Sequence, residues 1–170
     1  MKTPPPPAAL ATAAALAQRL LGGPRPARPA RTAAAGLVGA ASAGLLVAAV
    51  EQFRRTGTTV NPLEPGTATD LVTTGANAVS RNPMYVGMAG VLVAHALLRG
   101  RWAALLPAAA FVVAIDRGQI AAEEAALRER FPGDYSTYAA RVPRWVGLPG
   151  SRRTSDAGPH RRGCRATVDS

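Results

Sequence analysis

The stretch MYVGMAGVLVAHALLRGRWAALLPAAAFVVAI, residues 84–115, decides the fold of this chain. It holds two apolar runs, 84–98 and 102–115, on either side of an Arg-Gly-Arg turn at 99–101. Two apolar runs joined by so short a turn predict a helical hairpin in a membrane. Each run is shorter than the span of about 20 residues that a bilayer requires, so we expect the helices to tilt or to thin the bilayer locally. Trp102 stands where an anchor at the lipid–water interface belongs.

Two further apolar runs lie upstream of the hairpin. Residues 33–50 are rich in Gly, Ala and Ser, and such small side chains let one membrane helix approach another closely. Residues 8–21 form a weaker run, and because Lys2 precedes it a signal peptide is the alternative. The prolines at 4–7 favour a short first helix instead. Residues 23–31 repeat Pro and Arg and read as a linker.

The composition favours lipid over water as the solvent of this fold. Hydrophobic residues make up 48% of the chain but aromatic residues only 5%, which is little aromatic volume for a soluble core. The net charge of +10 raises nucleic-acid binding as an alternative. However, the arginines flank the apolar blocks as they do in membrane proteins, so no nucleic-acid partner is predicted. Cys164 is the single cysteine, and His95 and His160 are isolated, so neither a disulfide nor a metal site is expected.

Residues 56–80 form a long polar connection, and long connections in compact proteins are often functional or disordered; we favour a functional one. Asn82 suits the N-cap of the next helix and Pro83 suits its first position. Such a helix end attracts anions, so Arg81 could hold a carboxylate there. The alternative is a plain helix cap with an arginine that extends to the interface.

The helix of the second apolar run is expected to continue out of the membrane to Phe131, where Pro132-Gly133 ends it. Asp116, Gln119 and Glu123 recur at three and then four residues, which places them on one helix face. That stripe marks a site or, alternatively, a solvated helix extension.

Glu124 points away from this stripe and can pair with Arg128 one turn later, whereas no partner is evident for Glu123. Residues 135–145 are expected to form a short amphipathic segment along the interface. His95 lies in the middle of a hairpin helix and is expected to be a packed residue or one that forms an interhelical hydrogen bond, with a catalytic role as the alternative.

Four segments occur in a fixed order along the second half of the chain. They are Thr73-Thr74-Gly75, Arg81 to Gly87, Glu123-Glu124, and the aromatic and basic residues from Phe131 to Trp145. In order and spacing they closely resemble the isoprenylcysteine carboxyl methyltransferase family, which is related to the phospholipid methyltransferases. The resemblance runs from about Phe53 to Trp145, and residues 58–62 look like a bacterial branch.

The resemblance implies an all-α integral membrane bundle of three to four transmembrane helices that uses S-adenosylmethionine. By resemblance, the residues expected to contact or support the cofactor are Gly75, Arg81, Asn82, Pro83, Tyr85, Gly87 and Glu123. Arg81 and Tyr85 would position the reactants. The substrate side would include Asp116, Arg117 and Gln119, where Gln119 stands at the position of a substrate-holding Arg in the eukaryotic enzymes.

Carboxyl O-methylation of an isoprenylcysteine-like or other lipophilic acceptor fits this residue inventory, because an ionised carboxylate needs positioning but no general base. A phospholipid amine, a small thiol and an inactive membrane scaffold are the alternatives. The chain divides into a helix and linker at 1–32, a methyltransferase domain at 33–148 and a basic tail at 149–170 with almost nothing apolar, which is expected to be disordered. We expect a bacterial inner-membrane protein with its active site facing the cytoplasm. This orientation rests on the larger arginine set, which is Arg54, Arg55, Arg81, Arg117, Arg128, Arg141 and Arg144.

Overall fold

Helices account for all the regular structure in the computed structural model, which describes residues 5–21, 23, 25–56 and 71–146. The α-helices are α1 (Pro7–Leu20), α2 (Pro29–Thr56), α3 (Pro83–Arg99), α4 (Leu105–Ala114), α5 (Ala121–Arg130) and α6 (Pro132–Arg141). A 3-10 turn at Gly75–Ala78 precedes α3, another at Trp102–Ala104 precedes α4, and a π-helical segment, Ile115–Ile120, joins α4 to α5. The predicted all-α class is confirmed. Most of the predicted 56–80 connection and the tail after 148 lie outside the described residues.

Small residues bring α2 and α3 into their extensive contact, as the composition of 33–50 predicts. A Cβ added to Gly39 would lie 3.6 Å from Ala94, and one added to Gly87 would lie 2.5 Å from Leu46. Ser42 fills the space beside Gly90, and its hydroxyl donates to the Val38 carbonyl at 2.7 Å. The close approach of these two helices therefore depends on glycine at the contact.

A buried glutamine attaches α1 to the bundle. Gln18 is only 1% exposed, and its Nε2 donates to the backbone oxygens of Leu92 at 3.0 Å and Ala104 at 2.8 Å. Its Oε1 lies 2.6 Å from Nδ1 of His95, which is the interhelical hydrogen bond expected of that histidine. The first apolar run is thus a helix packed on α3 and α4.

The predicted hairpin is present, and glycine makes its turn possible. Gly100 has φ of 66°, the left-handed conformation that favours glycine, and its N–H donates to the carbonyls of Ala96 and Leu97. The guanidinium of Arg31 also occupies the space that a Cβ at this position would need. Trp102, predicted as an interfacial anchor, is 88% exposed.

Two helical stretches of the described chain, Pro29–Gln52 and Trp102–Arg130, are long and apolar enough to cross a membrane. The helix at Pro83–Arg99 is apolar but shorter. Large apolar side chains on these helices point outward, among them Leu37 at 73% exposure and Leu106 at 67% exposure. An outward apolar surface of this kind is suited to lipid.

The chain after the hairpin differs from its prediction at Pro132 and in the segment predicted at 135–145. The helix does stop at Phe131, but Pro132 begins α6 at once, because proline at the first helical position needs no hydrogen-bond partner for its nitrogen. The short segment predicted at 135–145 is therefore the helix Pro132–Arg141 followed by irregular chain. Tyr135 and Tyr138 form its buried face.

Candidate active site

Two adjacent carboxylates at the start of α5 have different surroundings. Glu123 accepts a hydrogen bond from the Tyr85 hydroxyl at 2.6 Å and one from Gln119 Nε2 at 2.9 Å, both on Oε1. Tyr85 is buried in the first turn of α3, beside Ile115 and Ile120 in the apolar core. Glu123, for which the sequence showed no evident partner, is thus a partly buried carboxylate held by two uncharged donors.

The π-helical segment Ile115–Ile120 decides which residues share a face. A π turn contains more residues than an α turn, so residues on either side of it change their relative phase. Gln119, near the end of the segment, remains beside Glu123. Asp116, at its beginning, turns toward the side of Glu124 instead, where it contacts Arg144. The predicted single stripe of Asp116, Gln119 and Glu123 is therefore divided, because that prediction assumed a regular α-helix.

Glu124 is the centre of an ion-pair cluster, with 3% of its side chain exposed. Arg81 donates to its Oε1 at 2.8 Å, Arg128 to its Oε2 at 2.8 Å, and Arg144 to both oxygens at 3.1 and 2.7 Å. The predicted pairing of Glu124 with Arg128 is confirmed. Arg81 and Arg128 also lie over the Tyr135 ring, at 5.9 and 5.4 Å from its centroid.

Arg144 links this cluster to Asp116. Its Nη1 donates to the two oxygens of Asp116 at 3.2 and 3.3 Å, and the indole N–H of Trp145 donates to Oδ1 at 2.8 Å. The hydrogen bond to the Glu124 carboxylate raises the pKa of Arg144 above its ordinary value. The sequence assigned Arg144 and Trp145 no role at the site, although Arg144 belongs to the arginine set that predicts the orientation. The only signal for them was their place in the Arg-Val-Pro-Arg-Trp segment of the family resemblance.

The chain after α6 also fixes the entrance to α3. The backbone N–H of Arg81 donates to the Pro143 carbonyl at 2.9 Å, and Nδ2 of Asn82 donates to the Arg144 carbonyl at 2.9 Å. Asn82 and Pro83 take the predicted N-cap and first-turn positions, but the Asn82 side chain does not cap the helix. The Arg81 guanidinium binds the Glu124 carboxylate and the Ala139 carbonyl, so its expected anion is a residue of this protein.

The two glycines in the predicted cofactor set lie at different contacts. Gly75 begins a 3-10 turn with φ of 60°, next to the Gln52 side chain, whose Nε2 donates to Thr74 Oγ1 at 3.0 Å. Gly87 lies against α2, as described above, and its lack of a side chain is needed there for helix packing. Arg117, placed on the substrate side by the sequence, is exposed.

A hydrogen bond from α6 holds the turn that begins at Gly75. The hydroxyl of Tyr138 donates to the Asn77 carbonyl at 2.7 Å, and burial raises the pKa of Tyr138 to about 12. The tyrosine therefore stays a hydrogen-bond donor at neutral pH. In the described ranges, no group of three or more His, Cys, Asp or Glu residues could hold a metal ion.

A family model described as phospholipid methyltransferase matches residues 30–134, which is more than half of the 170-residue chain. The matched stretch runs from the start of α2 to the start of α6. It includes Tyr85, Gln119, Glu123 and Glu124, whereas Arg144 and Trp145 lie beyond it. No curated protein and no solved structure matches the chain.

Proposed function

The chain belongs to the phospholipid methyltransferase family and is a membrane methyltransferase. We propose that it moves a methyl group from S-adenosylmethionine to a lipophilic acceptor, and that this transfer takes place beside the Tyr85–Glu123 pair. When bound, S-adenosylmethionine supplies a methyl group activated by a positively charged sulfonium. The observation that carries this proposal is the Glu123 carboxylate, which uncharged donors hold in place at 2.6 and 2.9 Å without neutralising it.

The residues around Glu123 fit a cationic cofactor. Among the described residues, Tyr85 and Gln119 are the side chains that bind Glu123, and neither is basic. A partly buried carboxylate in such surroundings favours a positively charged ligand, because the ligand restores electrical balance in a poorly hydrated place. S-adenosylmethionine carries both a sulfonium and an ammonium group.

The other expected cofactor contacts are part of the same proposal. Asn82 and Pro83 form the N-terminal end of α3, and Gly75 begins the turn that precedes it. In this proposal Arg81 acts through Glu124 by holding that helix end against α5 and α6. Gly87 acts by allowing α3 to approach α2 closely.

For the acceptor, we propose an ionised carboxylate on a lipophilic molecule, such as an isoprenylcysteine. Such a nucleophile needs orientation and exclusion of water but no proton removal. Asp116, the other carboxylate considered as a base, is held by Arg144 and Trp145. A phospholipid amine is the second candidate acceptor, and the match to a phospholipid methyltransferase model favours it.

Alkaline hydrolysis separates the two acceptors. The full chain, purified in detergent, is incubated with S-adenosylmethionine labelled in its methyl group, together with either an S-prenylated cysteine derivative or phosphatidylethanolamine. A methyl ester releases labelled methanol in alkali, whereas an N-methyl group does not. We expect volatile label from the prenylated acceptor. Label that stays in the lipid would support the amine, and a protein that binds no cofactor would support the inactive scaffold.

We also propose that the site faces the cytoplasm of a bacterial inner membrane, where the cofactor is made. Cys164 is the only cysteine, so a membrane-impermeant maleimide reports on one position without engineering. We expect no labelling in intact cells and labelling once the membrane is opened. Prompt labelling of intact cells would overturn the orientation.

A further inference from the structure

A second polar site lies at the opposite end of α3 from Tyr85. There a cleft of about 350 Å³ opens between the chain before α2 and the hairpin turn. Tyr85 and Gly100 are separated by nearly the whole helix, which is roughly 22 Å at 1.5 Å per residue. The cleft is therefore distinct from the Glu123 site.

Arginines dominate the polar lining of this cleft, which contains Arg25, Arg28, Arg31 and Arg101. The backbone positions two of them. Arg31 Nη2 donates to the Pro26 carbonyl at 2.8 Å, and Arg101 Nε donates to the Gly23 carbonyl at 3.1 Å. Carbonyl oxygens orient a guanidinium but do not neutralise its charge. Nε of Arg31 is also buried without a hydrogen-bond partner in the described part of the chain.

No acidic residue of the described ranges lies near these arginines. Glu51 is at the far end of α2, and all the other acidic residues that the structure describes follow Ile115. Arg31 and Glu51 are separated by about 30 Å of helix. The positive charge of the cleft is therefore not compensated from within the described protein, and an anion from outside would balance it.

The remaining lining is apolar. Leu97 and Leu105 form part of the wall, and Trp102 stands at the same end of the hairpin with its ring largely exposed. A ligand that matches the whole cleft thus has an anionic head and an apolar body. Arginine guanidinium groups bind phosphate in a bidentate manner, and basic pockets between membrane helices bind lipid headgroups.

We propose that this arginine cleft binds the phosphate of an anionic phospholipid, with the acyl chains along the hairpin. The site is separate from the proposed chemistry at Glu123. It holds a lipid at the bundle end where α1, α2 and the hairpin turn meet, next to the backbone hydrogen bond from Arg25 to Arg99 at 3.2 Å.

The experiment measures lipid binding to the full chain in a nonionic detergent by native mass spectrometry. The probes are phosphatidylglycerol, phosphatidylcholine with the same acyl chains, and glycerol 1-phosphate as the soluble headgroup. We expect phosphatidylglycerol to bind at least about tenfold more tightly than phosphatidylcholine, because the latter carries no net charge. Equal affinity of the two lipids would overturn the proposal.

Paired variants test the location. Replacing Arg25 and Arg28 together by Gln should weaken phosphatidylglycerol binding about tenfold or more. The control is the replacement of Arg54 and Arg55 by Gln, which removes the same charge from the other end of α2 and should change the affinity by less than about twofold. Equal losses in both pairs would reduce the effect to net charge and overturn the site.

A Lys variant and a competition with glycerol 1-phosphate test the charge argument and the lipid assignment separately. Replacing Arg25 and Arg28 by Lys retains the charge but loses the bidentate geometry, so binding should fall less than with Gln. A loss as large as with Gln, in a variant whose circular dichroism spectrum matches that of the parent, would contradict the charge argument. If glycerol 1-phosphate displaces phosphatidylglycerol at similar concentration, the ligand is a free phosphate and the lipid assignment is wrong.

Discussion

Glu123 and Glu124 are neighbours in sequence, yet their surroundings differ in charge. Glu124 accepts hydrogen bonds from Arg81, Arg128 and Arg144, whereas Glu123 accepts them from a tyrosine and a glutamine. The first carboxylate is compensated by the protein and holds α3, α5 and the chain after α6 together. The second is oriented but not compensated. A carboxylate of the second kind is suited to a cationic ligand, and one of the first kind is suited to structure.

The replacement of Glu124 by Gln should have the largest effect. It would leave Arg81, Arg128 and Arg144 facing a neutral amide, and breaking a buried ion pair typically costs about 3–5 kcal/mol. Thermal unfolding in detergent measures the loss. The exposed Glu129 is on the same helix, so Glu129→Gln is a charge-matched control that should unfold like the parent protein. Equal melting temperatures for the two variants would contradict the structural role of Glu124.

The replacement of Glu123 by Gln should affect cofactor binding more than stability. Because glutamine keeps the shape and one acceptor oxygen, stability should change by less than about 1.5 kcal/mol. Binding of S-adenosylmethionine should weaken at least about tenfold, since hydrogen bonds to a charged group contribute about 1.5–3 kcal/mol. Calorimetric titration at low temperature compares it with Glu124→Gln while both are folded. Equal losses of S-adenosylmethionine affinity in the two variants would contradict the distinction between Glu123 and Glu124.

Much of the fold could be predicted from the sequence because lipid and local chemistry decide it. The apolar runs, Gly100 at the turn and Pro83 at a helix start each have a local physical reason, and each is present in the structure. The first apolar run, residues 8–21, was harder to assign, since its short length left a signal peptide as an alternative. Gln18 settles its place as a helix of the bundle through hydrogen bonds to residues more than 70 positions away.

The candidate site was predicted less completely, because its geometry depends on a π-helical segment that has no clear sequence signal. That segment takes Asp116 away from Glu123 and toward Arg144. The tyrosine partner of Glu123 lies 38 residues earlier in the chain, so helical spacing could not reveal it. Only the family resemblance placed Tyr85 and Glu123 in one site.

The replacement of Tyr85 by Phe should have a smaller effect than the change at Glu123. It removes one of two hydrogen bonds that orient the carboxylate, and a hydrogen bond to a charged group contributes about 1.5–3 kcal/mol. It keeps the buried ring and the negative charge that would attract the cofactor. We expect cofactor affinity to fall by a factor of about two to ten. In the double variant with Glu123→Gln the tyrosine change should have almost no further effect. Additive losses would mean that Tyr85 does not act through Glu123.

The smallest effect should follow removal of the tail. Arg144 and Trp145 hold Glu124 and Asp116, and they are the last residues to do so in the described part of the chain. Both precede Gly150, and residues 151–170 contain almost nothing apolar to bury. A chain that ends at Gly150 should therefore insert, bind S-adenosylmethionine normally and unfold within about 0.5 kcal/mol of the full chain. A chain that ends at Val142 is the contrasting variant, because it lacks Arg144 and leaves Glu124 with two of its arginines. It should melt well below the full chain. Normal stability of the shorter chain would show that Arg144 is dispensable to the cluster, and lost cofactor binding in the longer one would assign the tail a role at the site.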